Sequence, residues 1–177
     1  MKLLLPMALI VPVLLAQTAP GPLMSAMLSR YQTAKLNLVE AAAFMPEADY
    51  GFRLTPAQRS FAEWMEHNVE MNYGLCSALR GEAVPKERIP KGLQAKADIE
   101  AALKESFSYC DTAFERMTDE MALREMDAGG GRKVLPANVM IGLLINWNEH
   151  YGNLVGYLRM KGITPPSTAR AERMQKK

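Results

Sequence analysis

An excess of charge of either sign is missing from this sequence: 21 Lys+Arg stand against 19 Asp+Glu, a formal net charge of +2 over 177 residues. The basic residues are dispersed and no aromatic-basic stripe accompanies them, so nucleic acid is not an expected partner. Long apolar runs are missing as well. The run from Leu3 to Leu15 is about 13 residues, short of the roughly 20 that span a bilayer. No alternating strand pattern of useful length and no internal repeat appears, which removes sheet and solenoid architectures from consideration. Histidine is reduced to His67 and His150, and cysteine to Cys76 and Cys110. The triple glycine Gly129-Gly130-Gly131 lacks both the strand-to-helix setting and the Lys-Ser/Thr ending of a phosphate loop.

What is present begins with a leader. Met1 and Lys2 form a short positive start, Leu3 to Leu15 is apolar apart from Pro6 and Pro12, and the small residues Ala16 and Ala19 precede Pro20-Gly21-Pro22. That order is the order of a secretory signal, so residues 1–19 are expected to be removed and the protein to be periplasmic or extracellular. No cysteine lies near the cleavage region and no twin arginine precedes the run, so neither a lipid anchor nor that export route is expected. No transmembrane anchor should remain after cleavage. In an oxidising compartment two cysteines allow one bridge, Cys76–Cys110; two separate buried thiols are the alternative.

Hydrophobic residues make up 49% and charged ones 23%, enough to bury a core over residues 20–166. Thirteen methionines suit helical packing, because Met forms helix well and fills irregular gaps. A first helix is expected from Leu23 to Met45, stopped by Pro46. Thr55-Pro56-Ala57-Gln58 offers a cap, a first-turn proline and a reciprocal Gln, so the second helix is expected to start there and to stop at Gly81. Phe61, Met65, Val69, Asn72, Cys76 and Leu79 line one of its faces. Ile99, Leu103, Phe107, Cys110, Phe114 and Met117 mark a third helix over Lys96 to Met117. Met140, Leu143, Leu144, Trp147, Tyr151, Leu154 and Leu158 mark a fourth between Pro136 and Gly162. Four such helices imply an all-α four-helix bundle. Residues 167–177, with Arg170, Arg173, Lys176 and Lys177, read as a solvated basic tail.

Both histidines lie on the flank of an apolar stripe. Imidazole is the commonest metal ligand and can also move protons. Asn146 is one helical turn before His150 and projects from the same flank, where a helical metal site would carry a second histidine. Asn is a poor donor for zinc or nickel.

The run Asn146-Trp147-Asn148-Glu149-His150-Tyr151-Gly152-Asn153-Leu154 resembles the last-helix motif of the DinB-like family, whose usual form is His, three residues, His, then a residue, Gly and Gln. Tyr157 to Pro166 is similar to that family's ending, and His67 within Ala62-Glu63-Trp64-Met65-Glu66-His67 matches its second-helix histidine. Met45-Pro46-Glu47-Ala48-Asp49-Tyr50 resembles members of an exported branch. The resemblance covers nearly all of the chain after the leader. It implies a down-up-up-down bundle and a divalent metal, zinc or nickel, held by three histidines. Carried over by residue, His67 and His150 match, whereas Asn146 stands at the third ligand position and Asn153 where Gln is usual.

Two function classes follow. One is a metal-dependent transferase or hydrolase with a degenerate histidine site; the other is a non-catalytic bundle that binds a small molecule or a protein. An unidentified small molecule is the expected partner, with a homodimer as a further expectation. For the cysteines, a second helix begun at Pro56 puts Cys76 about 30 Å along it and Cys110 about 21 Å along the third. Parallel helices offset by about 9 Å would bring the two level, so a bridge favours the parallel arrangement that the resemblance implies.

Overall fold

The computed structural model describes residues 20–93, 95–128 and 131–176; the leader expected over 1–19 lies outside the described residues, as do two of the three consecutive glycines. Four long helices carry the fold: α1 (Pro22–Phe44), α2 (Phe61–Arg80), α3 (Lys96–Arg116) and α5 (Pro136–Met160). A one-turn helix α4 (Asp119–Ala122) and a ladder of β1 (Met126–Asp127) with β2 (Lys133–Val134) fill the connection before α5, and α6 (Pro166–Gln175) follows it. None of these helices is long and apolar enough to cross a membrane.

Local chemistry sets the ends of α1 and the C-terminus of α2. Pro22 occupies the first turn of α1, and the orphan N–H groups of Leu23 and Met24 donate to the Asp119 carboxylate at 3.1 and 2.8 Å. Asp119 approaches so closely that a Cβ on Gly21 would lie 2.4 Å from it, so a larger residue at this N-cap would displace the carboxylate from the N–H groups it caps. At the other end of α1, Lys96 Nζ donates to the Ala43 and Met45 carbonyls at 2.7 and 2.8 Å. Gly81, at φ +67°, closes α2, with Glu82 N donating to Ser77 O, as the sequence led us to expect.

The start of α2 corrects the sequence reading. Thr55-Pro56-Ala57-Gln58 forms a turn, with Gln58 N on Thr55 O at 3.1 Å, and the helix begins at Phe61. The cap is Ser60: its hydroxyl accepts from Glu63 N at 3.2 Å while Glu63 Oε2 accepts from Ser60 N at 2.8 Å. Arg53 then grips both Glu63 oxygens at 2.7 and 2.6 Å. The carbonyls of Phe52 and Tyr50 accept from the N–H groups of Phe61 and Ala62, which satisfies the first turn. Two candidate capping boxes lay five residues apart, and the loop's own hydrogen bonds select the second.

That shift also settles the cysteine geometry. Cys76 lies fifteen residues past Phe61 and Cys110 fourteen past Lys96, so the expected offset of about 9 Å shrinks to about 1.5 Å. The two Cα atoms are 5.3 Å apart, with the sulfurs at bonding distance. Asn72 meets Ser106 with the same separation of 34 residues, so α2 and α3 run parallel. Trp64 meets Tyr157, Asn68 meets His150 and Asn72 meets Trp147, so α2 and α5 run antiparallel.

The core is continuous along all four helices. Tyr31 stacks on Phe114 at 4.2 Å between ring centroids and touches Phe107 and Trp147. Met24, Leu38, Met45, Phe61, Met65 and Tyr157 are fully buried around them. Each such side chain removed from water contributes about 1.5–3 kcal/mol. The segment read as a solvated tail is corrected over its first turn, whereas residues 171–176 are exposed as read. It forms α6, whose Ser167 exchanges hydrogen bonds with the Tyr151 hydroxyl at 2.9 Å and whose Arg170 pairs with Glu40 and Asn37 of α1. Basic spacing alone carries no sign of an acidic partner 130 residues away.

Candidate functional site

Helices α2 and α5 cross with their polar flanks facing, and both histidines sit at that crossing. The His67 and His150 rings are 5.0 Å apart between centroids, inclined at 52°. Trp64, one turn before His67, lies 5.1 Å from the His150 ring and 6.1 Å from the His67 ring. Its indole donates to the Tyr157 hydroxyl at 3.2 Å, which donates in turn to the Arg59 carbonyl. The Arg59 guanidinium covers the outer Trp64 face at 5.0 Å. The pair therefore has an aromatic wall fixed on both sides. His67 opens on a cleft of about 250 Å³ bounded by Arg59, Glu66, Glu70 and the Ile89–Gly92 segment.

Burial decides the charge state of the pair. His150 is 6% exposed, and burial, then the neighbouring His67, then Arg59, bring its pKa down to about 4. His67 is half-buried and is lowered as well, by burial and then Arg59, with Glu70 opposing. Both rings are neutral at pH 7 and keep a lone pair for a metal ion or a proton donor. His150 Nδ1 lies 3.0 Å from Asn68 Oδ1 inside the core.

Of the three residues singled out from the sequence, the structure brings His67 and His150 together. Asn146 stands one turn away on α5, as expected, but its amide Nδ2 donates to Gly142 O at 3.0 Å within its own helix. Of the acidic residues near in sequence, two are engaged elsewhere: Glu63 is held by Arg53 and Ser60, and Glu66 accepts from Leu93 N. Glu149 is exposed, and Glu70 is exposed on the same cleft as His67. Sequence reasoning gave no role to Trp64, Arg59 or Asn68, which complete the surroundings of the imidazoles. The one available signal was Asn68 and Asn72, four residues apart on a buried face with Met65 and Val69. A buried amide on an apolar stripe has to find a partner.

The family model of the DinB superfamily matches residues 30–152. That span holds α2, α3, most of α1 and both histidines. The chain belongs to the DinB superfamily. A solved DinB-like protein from Bacillus subtilis is 21% identical, covering 78% of this chain and 93% of its own with a TM-score of 0.64. A DinB-like protein from Bacillus cereus ATCC 10987 is 14% identical, covering 80% and 95%, also at 0.64. A conserved protein from Enterococcus faecalis is 13% identical, covering 77% and 95%, at 0.60. At these identities the likeness shows the shared helical bundle. None of the curated proteins matches.

The DinB resemblance implies a metal held by three histidines, and the donors of this chain fall short of that centre. Among the described residues no three of His, Cys, Asp or Glu converge to hold an ion. Two imidazoles converge, and the position one turn before His150 offers only an amide oxygen, a poor donor for zinc or nickel. No chemical step is therefore derived through a metal.

Proposed function

We propose that this DinB chain is a binding member of its superfamily, which takes up a divalent transition-metal ion, zinc or nickel, through His67 and His150. It does so more weakly than a three-histidine centre and leaves the remaining positions to a small molecule. The approach of the two neutral rings to 5.0 Å, beside a fixed tryptophan wall, carries this reading. Titration calorimetry with zinc tests it. Wild type should bind, Asn146→His should bind about tenfold or more tighter because an imidazole replaces an amide oxygen, and His150→Ala should not bind. No gain from Asn146→His would mean that the pair is not a depleted metal site.

The second reading is a non-catalytic bundle whose histidines serve as buried polar groups in a small-molecule or protein-binding surface. Among the described residues no third His, Cys, Asp or Glu joins the two imidazoles, which favours it. We infer export as well, from the leader and the cysteine pair. Mass spectrometry of the native protein should find an N-terminus near Gln17 or Pro20; intact Met1 protein from the cytoplasm would overturn export.

A further inference from the structure

Asn68 is fully buried, and every polar atom of its side chain that could choose a partner has had the choice made for it. Its Nδ2 donates to the Trp64 carbonyl of its own helix at 2.8 Å. That bond fixes which end of the amide is oxygen, so Oδ1 is the atom 3.0 Å from His150 Nδ1. An amide oxygen only accepts. The proton between them therefore sits on Nδ1, and in a neutral imidazole the other nitrogen, Nε2, is then bare.

We propose that Asn68 is the positioning residue of this site: it holds His150 as the Nδ1–H tautomer and so keeps Nε2 as an electron-pair donor. The assignment rests on the reading of the imidazole pair as a ligand site, and it narrows the ligand. Nε2 accepts; it has no proton to give. The ligand atom that meets His150 is a metal cation or the hydrogen of an O–H, N–H or S–H group. A carboxylate or phosphate oxygen finds no donor at that nitrogen. The orienting bond comes from inside α2, one residue after His67, so a single helix both contributes one imidazole and sets the other.

The test is a ring-nitrogen NMR spectrum of the purified, chelator-treated protein at neutral pH, labelled with ¹⁵N at histidine. In wild type the His150 Nδ1 should resonate as a protonated, pyrrole-type nitrogen and Nε2 as a bare, pyridine-type one. Adding zinc should move Nε2, whereas inorganic phosphate should leave it in place. Asn68→Asp keeps an accepting oxygen and should keep the tautomer. Asn68→Leu removes it at similar volume. The Nε2–H tautomer should then appear, and zinc affinity should fall by about 10–100-fold. An Nε2–H signal in wild type, a response to phosphate in place of zinc, or an unchanged tautomer in Asn68→Leu would overturn the assignment. Should the leucine variant not fold, the wild-type and aspartate spectra still decide it. An Nδ1–H tautomer in a protein that takes no zinc would defeat the metal reading while upholding Asn68.

Discussion

Helix α2 has two working seams, and they are held by different chemistry. Toward α3 the contact is parallel and covalent: Cys76 meets Cys110, with Ser77 and Tyr109 hydroxyls at 2.9 Å beside it and Arg80 lying 4.1 Å over the Tyr109 ring. Toward α5 the contact is antiparallel and carried by amides against rings, Asn68 on His150 and Asn72 on the Trp147 indole at 2.7 Å. Asn68, Asn72 and Cys76 follow one another at four-residue steps along the same buried face, and Asn72 reaches both ways, donating to Ser106 of α3 at 2.9 Å. The difference teaches where a bundle places its chemistry. The seam with a covalent register carries tyrosines and an arginine but no histidine, and the seam without one carries both histidines.

Breaking the covalent seam should have the largest effect. Cys76→Ala with Cys110→Ala opens a loop of 34 residues and should lower unfolding stability by about 3–4 kcal/mol in a urea titration. Free-thiol titration of the denatured, unreduced wild type should find none. The α2–α5 hydrogen bonds do not depend on the bridge for their partners, so zinc binding by the folded variant should stay within a few-fold of wild type. A loss of zinc binding as complete as that of His150→Ala would show that the two seams are one unit.

Acid should break the other seam. The unfolded chain binds a proton on histidine near pH 6.5, whereas folded His150 resists it down to about 4. Folding thus favours the neutral ring. The stability this gives is complete above about pH 6.5 and is lost progressively as pH falls toward 4, up to about 3 kcal/mol. His67, lowered in the same direction, adds to the loss. At the α3 seam burial raises the Tyr73 and Tyr109 hydroxyls and Arg80 holds Glu82 low, so those groups keep their neutral-pH state at pH 5. Hydrogen exchange at pH 5 should show α5 amides facing α2 opening before those of α3. His150→Gln should remove most of the slope of stability against pH between 6.5 and 4. An unchanged slope would mean that His150 is not the proton-resisting group.

The two seams also differ in how far the sequence disclosed them. Apolar periodicity marked α3 and α5 to within a residue or two, because Phe107, Cys110 and Phe114, or Met140, Leu143 and Trp147, are buried where the pattern says. The bridge was one of two alternatives, two separate buried thiols being the other, and the 5.3 Å between the Cα atoms decides for it. The approach of His67 to His150 came from family likeness, since helix periodicity gives a flank and says nothing of which helices meet. Asn68 escaped notice because an amide on a stripe looks like a gap in it, and its meaning depends on a ring 82 residues away. The docking of α6 was hidden for the same reason: Arg170 finds Glu40 only after the bundle has formed.

The smallest expected effect separates the two capping boxes and sharpens the α5 seam. Ser60 caps the turn of α2 that leads into Trp64 and His67, and its hydroxyl satisfies the Glu63 N–H. Removing an N-cap hydroxyl typically costs about 1 kcal/mol. Ser60→Ala should therefore lower stability by about that amount. Because the frayed turn carries the tryptophan wall, it should also weaken zinc binding slightly, by about two- to three-fold. Thr55 is exposed and starts a turn outside the helix, with its hydroxyl 3.5 Å from the Gln58 side chain. Thr55→Ala should stay within about 0.5 kcal/mol of wild type and leave zinc binding unchanged. The paired measurement reads the helix start directly: a larger loss from Thr55 than from Ser60 would place the first turn of α2 back at Pro56. That would add five residues to the path to Cys76, and α2 would then start about 9 Å ahead of α3 with the cysteine Cα atoms still 5.3 Å apart.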